Sequence, residues 1–211
     1  ACAGFIFAMN IVEGFFKAGI YKTALIIGAE TLSKVTDWSD RGTCVLFGDG
    51  AGAAVLKAEE TGIIDMMMGA DGTKGDVLAC TSRTVGNFLT GTKPELGFMT
   101  MDGQEVFKFA VRKVPESVLE LLNRTGTKKE DIKYYVLHQA NERIIEAAAR
   151  RLKEPMEKFP MTISQFGNTS TASIPLLLDD MIRKDMLKRG DKIIMSGFGA
   201  GMTWGAVLME W

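Results

Sequence analysis

The segment from Ala3 to Ala18 (AGFIFAMNIVEGFFKA) constrains the fold of this chain more than any other. Apolar residues lie nearly all round it, and a helix of that kind is buried between layers instead of lying on a surface. Gly19 follows as a C-cap, and Glu13 with Lys17 forms an i,i+4 pair. The apolar run Phe5 to Phe16 is broken by Asn10, Glu13 and Gly14 and is too short to span a bilayer. The chain opens at Ala1, inside what reads as a core element. It is therefore expected to be a fragment whose preceding segment is absent, and inactive or unfolded by itself.

A helix between layers needs sheets to cover it, and short apolar runs bounded by glycine supply the strands. Ala24–Ala29 (ALIIGA) reads as one buried strand. Cys44–Phe47 and Ala51–Lys57 read as an antiparallel hairpin closed by Gly48-Asp49-Gly50. Gly62–Met68 adds another strand. From Gly69 to Gly97 there is little periodicity and much Gly and Thr, which predicts a long functional loop. Asp102-Gly-Gln-Glu105 is a capping box for a helix through Arg112, and Pro115 is read as the start of a second helix to Arg124. Thr127-x-x-Glu130 caps a short turn. A strand Tyr134–Leu137 ends at His138 and leads into a helix over Glu142–Lys153. Thr162–Phe166 reads as extended, Gly167-Asn168-Thr169 as a turn and Ala172–Arg183 as a helix. Strands Lys192–Gly197 and Gly205–Glu210 flank a glycine-rich turn. Alternating strands and helices predict a layered α/β fold. Thr43–Leu56 and Lys192–Leu208 echo each other as strand, glycine-rich turn and strand. Such hairpins also recur without duplication.

Charge and cysteine usage narrow the function classes. A formal net charge of −1 supplies no overall field for nucleic acid or an anionic membrane. Cys2, Cys44 and Cys80 are too few and too widely spaced for a disulfide framework or zinc site, and suit a reducing cytoplasm. One histidine with scattered acids assembles no metal site. The glycine-rich runs Gly48–Gly52 and Gly197–Gly201 lack the third glycine of G-x-G-x-x-G, open no helix and carry no P-loop lysine, so no nucleotide cofactor is expected.

Three residues could carry chemistry. His138 sits where a buried strand gives way to a helix, the crevice favoured by α/β active sites, although a histidine there can also simply cap the helix. Asn168 lies in a Gly-Asn-Thr-Ser turn, where asparagine often serves only the turn. Cys2 precedes the first helix, so its sulfur is expected at a helix N-terminus, an environment that lowers a thiol pKa. Cys44 and Cys80 read as packing residues. Together Cys2, His138 and Asn168 make a nucleophile with two hydrogen-bonding partners.

Six motifs occur in order along the chain: Ala1-Cys-Ala-Gly-Phe5, Asp40-Arg-Gly-Thr43, Phe47-Gly-Asp-Gly-Ala-Gly-Ala-Ala54, His138-Gln-Ala-Asn141, Gly167-Asn-Thr-Ser170 and Gly197-Phe-Gly-Ala-Gly201. From end to end the series resembles the β-ketoacyl-acyl-carrier-protein synthase III family, the initiating condensing enzymes of bacterial fatty-acid synthesis. The resemblance implies a duplicated α-β-α-β-α thiolase fold, with residues 1–100 the remainder of the first repeat plus a substrate loop, and residues 101–211 the second. It makes Cys2 the acyl-accepting nucleophile, His138 and Asn168 the decarboxylation pair, and the backbone N–H groups of Cys2 and Ala200 the oxyanion hole. Many relatives carry glycine where this chain has Ala200, and the backbone donor survives if the local φ is negative.

By the same resemblance Arg41 and Asn141 contact CoA or the phosphopantetheine arm, and Leu32, Phe47, Leu78 and Met99 line the acyl pocket; each of those four also reads as plain core. Gln139, Ala140, Asn141, Glu142 and Arg143 match the family's carrier-protein docking segment. Arg143 and Arg150, seven residues apart on one helix, share a face that an acidic carrier protein or solvent alone could occupy. A homodimer is implied. A cysteine, histidine and asparagine in this order also occur in papain-like proteases, but the signature around the nucleophile and the disulfides are missing. Polyketide-type condensing enzymes share the same three residues and stay open.

Overall fold

The structure is a computed structural model that describes residues 1–80, 86–93 and 97–211. Its helices are α1 (Gly4–Lys17), α2 (Gly103–Thr125), α3 (Glu142–Leu152), α4 (Ile163–Phe166) and α5 (Ser173–Arg183). Its strands are β1 (Thr23–Glu30), β2 (Gly50–Lys57), β3 (Ile63–Ala70), β4 (Leu78–Cys80), β5 (Met99–Met101), β6 (Ile132–Leu137), β7 (Lys192–Gly199) and β8 (Thr203–Glu210).

A mixed sheet in the order β3-β8-β7-β6 organises the molecule, with β6 and β7 parallel and the other pairs antiparallel. Both of its faces are covered, so β7 is apolar continuously instead of alternately. Ile193 and Met195 point to one side, where Phe5 and Ile6 of α1 and Leu177 and Met181 of α5 complete a core. Ile194 points to the other, toward Leu121 of α2 and Ile145 of α3. The antiparallel pair β1–β2 packs beyond α5. Its strands approach so closely that a Cβ on Gly28 would lie 2.8 Å from the Thr171 carbonyl oxygen, and one on Gly52 2.9 Å from Pro175. The layers therefore run α2/α3, mixed sheet, α1/α5, β1/β2: an α-β-α-β stack of the expected α/β class.

Several elements differ from the sequence reading. Residues 44–46 form turns, not a strand, and β2 pairs with β1. Phe47 instead bridges Asn168, with Gly48 N–H donating to Asn168 O at 3.0 Å and Asn168 N–H to Leu46 O at 2.8 Å. The echoed motif is thus a hairpin only in its second occurrence. The segment read as extended at Thr162–Phe166 contains the single helical turn α4, closed by Gly167 N–H on Ile163 O. The predicted loop from Gly69 to Gly97 contains β4 and the end of β3, and its residues 81–85 and 94–96 lie outside the described residues.

Helix α2 runs unbroken through Pro115. A proline removes the hydrogen bond to the carbonyl four residues back, here Val111. The Arg151 guanidinium, arriving from α3, donates to Val111 O at 2.8 Å and satisfies that orphaned oxygen. Asp102 caps the start of α2 through Gln104 and Glu105 N–H, and Gly126 ends it at φ +66°. Helix α1 is covered on one side only: Phe5, Ile6 and Met9 are buried, whereas Ile11 and Phe15 are exposed. The expected burial all round is not met, because no other described element packs on that second face. No helix among the described residues is long and apolar enough to cross a membrane.

Candidate active site

Three chain segments meet at the end of the mixed sheet. His138 follows the last residue of β6 and extends its pairing, donating its N–H to Ser196 O on β7 at 2.8 Å. Cys2 lies just before α1, held against the backbone of β7. A Cβ on Gly199 would lie 2.8 Å from Cys2 N, and one on Gly197 3.7 Å from His138 Cβ, so these two glycines let nucleophile and histidine approach the same strand. Asn168 enters from the turn after α4, pinned by its bridge to Phe47. Cys2, His138 and Asn168 all line one cavity of about 190 Å³. The convergence expected from sequence is therefore present.

The hydrogen bonds around the site orient its donors. Asn168 Oδ1 accepts the Ser170 N–H at 2.9 Å, which leaves the Nδ2 hydrogens available on the cavity wall. Ser170 is held at φ +52°, an uncommon conformation for a non-glycine residue and one that concentrates at functional sites. His138 Nδ1 pairs with Ser173 Oγ at 2.6 Å, and its ring stands edge-on to Phe198 at 5.5 Å. Burial pushes its pKa down to about 3, so the imidazole is neutral at physiological pH.

Cys2 departs from its expected electrostatics. Burial pushes the thiol up, outweighing the downward pull of the Ser170 hydroxyl. The helix N-terminus was legible in sequence, but the loss of water around a side chain that is 7% exposed was not. Removing a thiolate from water disfavours it, and here that cost is the larger effect.

Other candidate residues divide. Phe47, Leu78, Ala140 and Asn141 line the cavity with the three central residues, whereas Leu32, Met99, Arg41 and Ala200 do not. Met99 packs against the α2/α3 core instead. Arg41 is exposed in the turn after Asp40. Ala200 lies one residue beyond Gly199, which is on the wall, and it is not among the non-glycine residues at positive φ, so its backbone meets the stated condition. Within the expected docking segment, Glu142 and Arg143 are exposed, but Gln139 is 1% exposed. Its Nε2 donates to Leu137 O and its Oε1 accepts the Thr162 N–H, so it braces the site from inside and presents nothing to a partner. Asn141 caps α3 through the Arg143 N–H and borders both the central cavity and a more open one of about 330 Å³ that reaches Glu142 and Arg143.

Sequence reasoning missed the wall contributed by the start of α2. Val106 and Phe107 line the cavity beside Met101, and no local signal marks them, since they read as the ordinary apolar face of a capped helix. No group of three or more His, Cys, Asp or Glu residues among the described residues could hold a metal ion.

The layered α/β architecture is that of the thiolase-like fold, and the solved structures it matches agree. The chain superposes on 3-oxoacyl-[acyl-carrier-protein] synthase III from Aquifex aeolicus VF5 with a TM-score of 0.90 at 44% identity, covering 100% of this chain and 65% of that one. The enzyme of the same name from Pseudomonas aeruginosa PAO1 gives a TM-score of 0.94 at 38% identity, over 100% and 66%. A curated relative, β-ketoacyl-[acyl-carrier-protein] synthase III of Clostridium acetobutylicum, is 50% identical over 213 residues, all of this chain and 66% of the relative. The family descriptions "3-Oxoacyl-[acyl-carrier-protein (ACP)] synthase III" and its "C terminal" match residues 1–72 and 122–211. The chain belongs to the 3-oxoacyl-[acyl-carrier-protein] synthase III family. It spans 66% of the length of that Clostridium relative.

Proposed function

We propose that the intact protein containing this chain initiates fatty-acid synthesis by condensing an acyl-CoA primer with malonyl-acyl-carrier protein. The observation that carries the reading is the convergence of Cys2, His138 and Asn168 on one cavity. Cys2 sulfur attacks the primer thioester, the CoA thiolate leaves with the thiol's proton, and an acyl-Cys2 thioester forms. Malonyl thioester then releases carbon dioxide, and the electron pair of the broken C–C bond becomes an enolate whose oxygen carries the charge. The neutral His138 ring and the Asn168 Nδ2 donate hydrogen bonds to that oxygen. Such preorganised donors contribute roughly 3–4 kcal/mol each in comparable sites. The enolate carbon attacks acyl-Cys2, the new C–C bond forms, and Cys2 thiolate is expelled.

The apolar wall from Phe47, Leu78 and Val106 suits an acyl chain, and Asn141 at the join of the two cavities suits the arm that delivers it. Glu142, Arg143 and Arg150 lie exposed outside, where the carrier protein would dock. The same proposal includes a cytoplasmic homodimer, no resident cofactor and the two-repeat division at residues 100 and 101.

The test is intact-mass analysis of the full-length protein. Acyl-CoA should add one acyl group that maps to Cys2, and malonyl-acyl-carrier protein should then discharge it as β-ketoacyl product. Replacing His138 or Asn168 by alanine should block discharge while leaving the adduct. An adduct on another residue, or its loss in the His138 variant, would refute this division of roles.

A further inference from the structure

We infer that Ser173 is a positioning residue that locks His138 in the tautomer carrying its proton on Nε2, so that the ring can only donate into the cavity. The inference rests on the condensing reading for its consequence but on local geometry for its substance.

Ser173 is the first residue of α5 and is 2% exposed. Among the described residues its hydroxyl oxygen has two hydrogen-bonding partners: the Gln139 N–H at 3.3 Å and His138 Nδ1 at 2.6 Å. The first can only donate. The hydroxyl has one proton to place, and Nδ1 is the acceptor within reach. If Nδ1 carried the proton instead, Ser173 Oγ would receive two N–H groups and its own proton would have no acceptor in a buried site. A hydroxyl buried without a partner is strongly disfavoured. The arrangement that satisfies every group has Gln139 N–H donating to Oγ, Ser173 O–H donating to Nδ1, and Nε2–H left over.

The rest of the site supports the same assignment. Nε2 has no hydrogen-bonding partner among the described residues, and the residue lines the cavity beside Cys2 and Asn168. Burial holds the ring neutral, so it carries one proton, and Ser173 decides where. Gln139 is clamped by Leu137 O and the Thr162 N–H, so its backbone donor toward Ser173 is fixed as well. Two functional consequences follow. An Nε2–H ring stabilises an enolate oxygen, which the other tautomer would repel with its lone pair. With Nδ1 already accepting and Nε2 protonated, His138 has no free lone pair for the Cys2 proton, so it is not the base that activates the thiol.

The test uses the full-length protein labelled with ¹⁵N-histidine, with the His138 signals assigned by their loss in His138→Gln. Two-bond ¹⁵N–¹H correlations should show a protonated Nε2 and an unprotonated, hydrogen-bonded Nδ1 near neutral pH. In Ser173→Ala the ring should populate both tautomers, and malonyl decarboxylation should fall about 10- to 100-fold, part of the 10²–10³ lost when an oxyanion donor is deleted outright. Formation of acyl-Cys2 should stay within about two-fold, and Ser173→Thr, which keeps the hydroxyl, should restore both tautomer and rate. A wild-type ring protonated on Nδ1 overturns the inference, and so does a Ser173→Ala variant with unchanged tautomer and rate. Should Ser173→Ala fail to fold, the wild-type spectrum alone decides. A protein that shows the Nε2 tautomer yet condenses nothing would sink the functional reading and leave the assignment standing.

Discussion

Acidifying this protein should weaken its fold through His138, by an amount that can be worked out in advance. The ring is the chain's one histidine and 2% exposed, and burial lowers its pKa from 6.5 to about 3. Between those two values the unfolded chain binds a proton that the folded chain refuses. The unfolded state then holds one more proton, so unfolding free energy rises with pH at about 1.4 kcal/mol per unit and falls as the solution is acidified. The contribution of His138 is zero above its unfolded pKa. At about pH 5 it is a loss of roughly 2 kcal/mol, from about 1.5 units below that value. With a urea slope of about 2–3 kcal/mol per M, the unfolding midpoint moves by roughly 0.7–1 M. Carboxylates titrate over the same range, so the measurement is a double difference: urea unfolding of wild type and His138→Gln at about pH 7 and about pH 5. The variant should lack the 2 kcal/mol that the wild type loses. Equal losses in both, within about 0.5 kcal/mol, would show that the folded site accepts the proton and that the ring is not held neutral by burial.

Two further outcomes follow from the packing around Cys2. Gly199→Ala should cost about 1–3 kcal/mol and slow acylation about 10- to 100-fold, because its Cβ would meet Cys2 N at 2.8 Å and push the nucleophile aside; thermal melts and adduct mass read both, and wild-type acylation in this variant would refute the contact. At neutral pH iodoacetamide should label the exposed Cys80 before the buried Cys2, since burial keeps Cys2 protonated and screened; peptide mapping that found Cys2 labelled first would reverse that order.

Much of the site was legible in the chain because it sits at the ends of local elements. The strand that ends at His138 and the Asp102 cap depend on residues within a few positions of each other, so sequence alone places them. The family motifs likewise name Cys2, His138 and Asn168 without coordinates. Where the reading failed, the deciding group came from far along the chain. Pro115 reads as a break, yet α2 continues because Arg151 supplies the donor that Val111 O lost. Cys44–Phe47 reads as half of a hairpin, yet Phe47 takes Asn168 as its partner. Gln139 reads as a surface contact, yet Thr162 and Leu137 draw it inward.

Cys2 shows the division most sharply. Its sequence position before α1 determined that a helix N-terminus would favour the thiolate, an effect confined to one turn and therefore local. Only the tertiary structure decided how much water remains around the sulfur, since β7 and the Ser170 turn arrive from the other end of the chain. Hydrogen bonds within a helix or cap are fixed by neighbours in sequence, whereas desolvation and the pairing of orphaned polar groups depend on which distant segments close over them.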